Sequence, residues 1–116
     1  MKILIVDDST FMRTILKNII VGQYSNAEVL EAANGEEAIT KYNETKPDLV
    51  LLDIIMPGKD GIAVLRELGP GAKSVIIISS IDQPEVIEQA TALGAKGYIV
   101  KPYDASEVVT MLQTVV

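Results

Sequence analysis

Three aspartates, a serine and a lysine stand where short apolar runs stop. Asp7 and Asp8 follow Ile3-Leu4-Ile5-Val6, and Asp53 follows Leu49-Val50-Leu51-Leu52; Ser79 ends Val75-Ile76-Ile77-Ile78, and Lys101 ends Tyr98-Ile99-Val100. Carboxylates drawn together repel, at a cost of about 4 kcal/mol for two unit charges ~4 Å apart at an effective dielectric of roughly 20. A hard divalent cation relieves that repulsion, and Mg²⁺ also accepts a phosphate oxygen while keeping several waters. The chain has no histidine and no cysteine, so any metal must be held by oxygens, which favours Mg²⁺ or Ca²⁺ over zinc. The set therefore points to phosphoryl chemistry. Asp53 is the candidate nucleophile, forming an acyl phosphate. Lys101 neutralises charge on the transferring group, and the Ser79 hydroxyl donates a hydrogen bond to it. With no imidazole in the chain, the phosphoryl group must come from another molecule.

Each of these residues has an ordinary reading when taken alone. Strand-to-helix loops are polar and supply helix caps, so Asp8 or Ser9 serves equally well as the cap of a first helix, and Lys101 as a surface residue. Joint placement at four run ends is what makes a site.

The runs that position these residues are short and rich in Val and Ile, the pattern of strands buried on both faces. Strands are expected near residues 2–7, 28–33, 48–53, 75–79 and 97–100. The second, Glu28-Val29-Leu30-Glu31-Ala32, mixes acids into its pattern and suits a partly exposed edge. Helical periods fill the gaps. Met12, Ile15, Leu16, Ile19 and Ile20 form one stripe. Asn34 with Glu37 reads as a cap and its partner, starting a helix that buries Ala38 and Tyr42. Asp60-Gly61 opens a helix carrying Ile62 and Leu65. Asp82 and Pro84 start the next, which carries Val86, Ala90 and Leu93 and stops at Gly94. Asp104 with Glu107 precedes Val108, Leu112 and Val115. Repeated strand–helix units imply an α/β fold: a parallel sheet, helices on both faces, right-handed crossovers. Ligands of open sheets of this kind bind beyond the carboxyl ends of the strands. Those ends hold the five residues.

Bulk properties narrow the remaining classes. A chain of 116 residues and 12.5 kDa is expected to form one domain over 1–116. No apolar stretch approaches the roughly 20 residues of a membrane helix, and no signal-peptide pattern precedes the first strand. Together with the lack of cysteine, this makes a cytoplasmic location the expectation. A net charge of −6 argues against direct nucleic-acid binding, which needs a basic face.

The motifs together resemble those of response-regulator receiver domains, specifically the stand-alone chemotaxis, CheY-like type. They are Val6-Asp7-Asp8-Ser9 with Met12-Arg13, Asp53-Ile54-Ile55-Met56-Pro57 with Asp60-Gly61, Ile78-Ser79-Ser80, Gly94-Ala95-Lys96-Gly97-Tyr98, and Lys101-Pro102-Tyr103. They run the length of the chain in the family's order and spacing. The resemblance implies a doubly wound (βα)5, flavodoxin-like domain with a five-stranded parallel sheet of order 2-1-3-4-5, an order taken from the family rather than from this chain's periodicity. It implies that Asp53 accepts phosphate. Asp8, Asp53 and the backbone carbonyl of Ile55 would ligate Mg²⁺, with Asp7 acting directly or through a water. Lys101 would pair with Asp53 and then with the phosphoryl group. Ser79 would turn to the phosphate, Tyr98 would move into the vacated space, and the Lys101–Pro102 peptide would be cis.

Tyr98 has a plain alternative as a packing residue whose hydroxyl reaches water. Ser80 competes with Ser79, because alternation sends adjacent side chains to opposite faces; the spacing to Lys101 favours Ser79. Ile55 and Ile81, two residues beyond Asp53 and Ser79, are apolar and cannot position an attacking water. A long-lived phosphoryl group cleared by an external phosphatase is therefore expected. The chain ends after the fifth predicted helix, so output is expected from a binding surface, roughly residues 83–116, rather than from an attached domain. The implied partners are a chemotaxis histidine kinase as phosphodonor and a motor component or its adaptor, with the chain itself monomeric. The expectation is a signalling switch rather than an enzyme. Rival readings are a receiver cut from a longer regulator with an enzymatic or DNA-binding output, a flavodoxin-like cofactor binder, and a metal-dependent aspartyl phosphatase. The cofactor binder is disfavoured by a first loop that offers acids to a phosphate. The phosphatase would need a second acid where Ile55 stands.

Overall fold

The computed structural model describes residues 1–72 and 74–115. Five strands alternate with five helices: β1 (Lys2–Val6), α1 (Thr10–Gln23), β2 (Glu28–Ala32), α2 (Gly35–Thr45), β3 (Leu49–Leu52), α3 (Gly61–Leu68), β4 (Ser74–Ser79), α4 (Pro84–Ala92), β5 (Gly97–Val100) and α5 (Ala105–Val115). The strands form one parallel sheet in the order β2-β1-β3-β4-β5. The fold class and strand order match the expectation, and strand limits differ from it by at most one residue.

Two cores flank the sheet because strand side chains alternate between faces. Leu4, Val6, Val50, Leu52, Val75 and Ile77 pack with Ala38 of α2, Val64 and Leu65 of α3 and Ala90 of α4. Their neighbours Ile3, Ile5, Leu49, Leu51, Ile76, Ile78 and Ile99 pack with Leu16 and Ile20 of α1 and Val108 and Leu112 of α5. The continuous apolar runs are thus strands covered on both sides. Of the stripe expected on α1, Leu16 and Ile20 are buried, while Met12, Ile15 and Ile19 lie half-buried.

Helix starts follow local chemistry, with two differences. Ser9 caps α1, accepting from the Met12 N–H at 3.2 Å. Asn34 caps α2, accepting from Glu37 at 2.8 Å, and Asp60 caps α3, accepting from Ala63 at 2.9 Å. Before α4 the cap position belongs to Gln83, which makes no side-chain capping bond, with Pro84 behind it. Asp82 sits one residue too early to serve, and proline needs no donor partner at a first helical position. At α5 Glu107 reaches back to the Asp104 N–H at 3.2 Å, half of the reciprocal pattern expected there.

Candidate functional site

The carboxyl ends of β1, β3, β4 and β5 share one edge of the sheet, and ladder bonds run into the site itself. Asp7 N–H donates to the Ala32 carbonyl at 3.1 Å, Asp53 N–H to Val6 at 2.9 Å, and Lys101 N–H to Ser79 at 2.9 Å. The backbones of Asp7, Asp53, Ser79 and Lys101 are therefore held by neighbouring strands.

Asp7 and Asp53 are almost fully buried, with 3% and 6% of their surfaces exposed, whereas Asp8 is exposed at the rim. One carboxylate oxygen from each of the three lies within 4.8 Å of the others. The Lys101 ammonium bridges the two buried acids, donating to Asp7 Oδ2 at 3.0 Å and Asp53 Oδ2 at 3.2 Å. The remaining oxygens also have donors: Ser9 N–H reaches Asp7 Oδ1 at 2.9 Å, and Ile55 N–H reaches Asp53 Oδ1 at 3.2 Å. Burial pushes the Asp53 carboxyl above its ordinary pKa; the Lys101 charge opposes that shift and the Asp7 charge adds to it. For Lys101, burial disfavours the charged form, but the Asp7 hydrogen bond and the charges of Asp53 and Asp7 outweigh it, and its pKa is raised.

Burial separates the two serines. Ser79 is fully buried and Ser80 is exposed. The Ser79 hydroxyl accepts from Ile81 N–H at 3.2 Å, while the Tyr98 hydroxyl donates to the Ile81 carbonyl at 2.6 Å. Tyr98 packs on the same core as Val75 and Ile77, so its ring shares the sheet face of Ser79. Burial raises the Tyr98 pKa, and the nearby Ser79 hydroxyl opposes that shift. Both hydroxyls thus meet at the turn 79–81. Ile55 is 52% exposed, and Ile81 is half-buried. The Lys101–Pro102 peptide bond is cis.

Three features were not read from the sequence. Lys101 was expected to pair with Asp53, and it holds Asp7 as well. Gly61 is required by close approach: a Cβ there would lie 2.2 Å from the Asp53 carbonyl oxygen and 2.7 Å from the Ile54 Cα. Tyr103 buries a hydroxyl with no hydrogen-bond partner among the described residues, beside a cavity of about 400 Å³ lined with Met12, Ile15, Ser80, Lys101 and Pro102. The Asp60-Gly61 pair was a legible signal for a helix start, but nothing in it announces the packed backbone.

A family model of the response regulator receiver domain matches residues 3–113. The chain belongs to that family. The receiver is 47% identical to the chemotaxis protein CheY of Listeria monocytogenes, over 97% of this chain and 96% of the relative. Its identity to the chemotaxis protein CheY of Thermotoga maritima is 45%, over 98% and 96%. Among solved structures it superimposes on a CheX–CheY–BeF3–Mg complex from Borrelia burgdorferi with a TM-score of 0.90 at 36% identity, covering 98% of this chain and 87% of that one. It superimposes on the chemotaxis protein CheY4 of Vibrio cholerae with a TM-score of 0.88 at 28% identity, covering 99% and 98%.

Proposed function

We propose that this receiver accepts a phosphoryl group on Asp53 from the phosphohistidine of a chemotaxis kinase and passes the change to a motor component or its adaptor. The observation that carries the reading is the clustering of Asp7, Asp8 and Asp53 at one sheet edge, with the Lys101 ammonium bridging Asp7 and Asp53. The donor set is all oxygen, as a hard cation requires. Asp7, Asp8, Asp53 and the Ile55 carbonyl would hold Mg²⁺, which supplies charge neutralisation for the transferring phosphoryl oxygens.

An Asp53 carboxylate oxygen attacks phosphorus. The O–P bond forms as the P–N bond breaks, and the leaving imidazole keeps that electron pair and takes up a proton from solvent. Lys101 follows the charge, exchanging its Asp53 bond for one to a phosphoryl oxygen while its Asp7 bond holds the ammonium in place. The Ser79 hydroxyl turns toward the new oxygens and lets go of Ile81 N–H. Because Tyr98 is tied to the same turn through the Ile81 carbonyl, that release alters its partners too. A local charge change thereby biases the surface formed by α4, β5 and α5. This is the proposed output face, residues 83–116, of which Val116 lies outside the described residues.

The receiver works as a monomeric switch in the cytoplasm, and its chemistry is confined to its own phosphorylation and dephosphorylation. Ile55 and Ile81 offer no side-chain group to an attacking water, which supports clearance by an external phosphatase; the complex of a CheY with CheX supports the same reading. The test is incubation with acetyl phosphate and Mg²⁺, followed by intact-mass measurement of wild type and Asp53→Asn. One phosphoryl group is expected on wild type only. Equal addition to both proteins would remove Asp53 from the mechanism.

A further inference from the structure

Asp7 has its amide, Oδ1 and Oδ2 satisfied by the sheet, the α1 cap and Lys101. Its carbonyl lies beyond the last rung of β1 and is taken up by Arg13, whose Nη1 donates to it at 2.5 Å. The same guanidinium donates through Nε to Glu31 Oε1 at 2.9 Å and through Nη2 to Thr10 Oγ1 at 3.1 Å. Only 12% of the Arg13 side chain is exposed, and Glu31 is 35% exposed. A planar fork held at three points has little freedom left.

We infer that Arg13 is a positioning residue for the acidic pocket, with Glu31 as its brace. The Asp7 carbonyl belongs to the peptide that joins Asp7 to Asp8. Holding it sets the plane of that peptide, and hence the direction in which the Asp8 side chain leaves the backbone toward Asp53. Asp8 is the exposed member of the three acids, and the hydrogen bonds of the structure give its carboxylate no partner among the described residues. Its placement rests on the backbone, and that backbone rests on Arg13. The brace also accounts for an acid inside a sheet strand. Glu31 pairs in register with Ile5, so its side chain faces α1, where the guanidinium waits.

The inference rests on the reading that these acids hold Mg²⁺. Outer partners that orient a metal ligand typically change affinity by about 10–100-fold when removed. The experiment is calorimetric titration of the full chain with Mg²⁺ alone, for wild type, Arg13→Ala, Arg13→Lys and Glu31→Gln, with thermal melts in metal-free buffer beside it. Leu112→Ala, a core change on α5 remote from the acids, is the stability control. Arg13→Ala is expected to weaken Mg²⁺ binding about 10-fold. Arg13→Lys, which reaches one partner at a time, should recover part of that loss. Glu31→Gln keeps an acceptor for Nε and should cost about two- to threefold, within the range set by a single weakened charge-assisted bond. Leu112→Ala should melt earlier with unchanged Mg²⁺ affinity. If Arg13→Ala does not fold, Arg13→Lys and Glu31→Gln carry the test. Wild-type affinity in all three variants overturns the positioning role while leaving the metal reading intact. Absence of Mg²⁺ binding by wild type overturns both.

Discussion

Replacing Lys101 by Met removes the cation that bridges two buried carboxylates, Asp7 and Asp53. The bonds being lost are 3.0 and 3.2 Å long, and at an effective dielectric of about 20 each pair attracts by roughly 5 kcal/mol before desolvation is counted. What matters for stability is the state left behind. Asp7 and Asp53 remain buried and face each other, and orphaning a buried ion-pair partner costs about 3–5 kcal/mol. One carboxyl can lower that cost by binding a proton, so about 3 kcal/mol is expected at neutral pH without metal. For a domain of this size that is a fall of roughly 12 °C in Tm, at about 4 °C per kcal/mol.

The pH dependence has a definite sign. Asp53 already has a raised pKa, and losing Lys101 raises it further. A carboxyl raised in the folded state contributes stability below its unfolded pKa, and that contribution is lost as pH rises through the folded value. The deficit of Lys101→Met should therefore be small in acid and grow toward neutrality. Saturating Mg²⁺ replaces the missing positive charge and should bring the variant to within about 1 kcal/mol of wild type. Urea unfolding followed by circular dichroism, with and without Mg²⁺ across the acid-to-neutral range, measures all three effects. A metal-free loss below about 1 kcal/mol, or a loss that Mg²⁺ leaves unchanged, would refute the assignment of Lys101 as counter-ion to both acids.

Gly61→Ala drives a methyl into the Asp53–Ile54 backbone and should cost about 3 kcal/mol or more, with slower acetyl-phosphate labelling in whatever folds; wild-type melting would show that the loop yields freely. Ile55→Asn combined with Ile81→Glu places hydrogen-bonding groups beside the phosphoryl oxygens and should shorten the phosphorylated half-life by at least about 10-fold, read by loss of the added mass; an unchanged half-life removes these positions from lifetime control. Lys101, Tyr98 and Tyr103 all have raised pKa values, through ion pairing for the lysine and through burial for the tyrosines. Stability from all three is lost as pH climbs past about 10, so urea midpoints should fall steeply there, and Tyr103→Phe should flatten part of that fall; no flattening would deny Tyr103 a share.

Much of this protein is written in short-range pattern. Short apolar runs ended by acids, a serine or a lysine define strands and their polar ends, and Ser9, Asn34 and Asp60 mark helix starts because capping is a local bond. Local chemistry was ambiguous in two places: Asp82 looks like a cap but stands one residue early, and Ser79 and Ser80 differ only in the face to which the strand turns them, so that only the spacing to Lys101 favoured Ser79. Asp53, its two companion acids Asp7 and Asp8, and Lys101 were legible because they stand at the ends of apolar runs, and parallel strands gather their ends at one edge.

Distances between remote segments carry no such signature. That Lys101 reaches Asp7 as well as Asp53, that Gly61 lies against the Asp53 carbonyl, and that Arg13 ties the end of β1 to Glu31 on the edge strand are consequences of how helices settle on a twisted sheet. Composition and periodicity determined which residues meet water and which meet the core. Only packing in three dimensions decided which charges meet one another, because an ion pair depends on a few ångströms that sequence spacing does not encode.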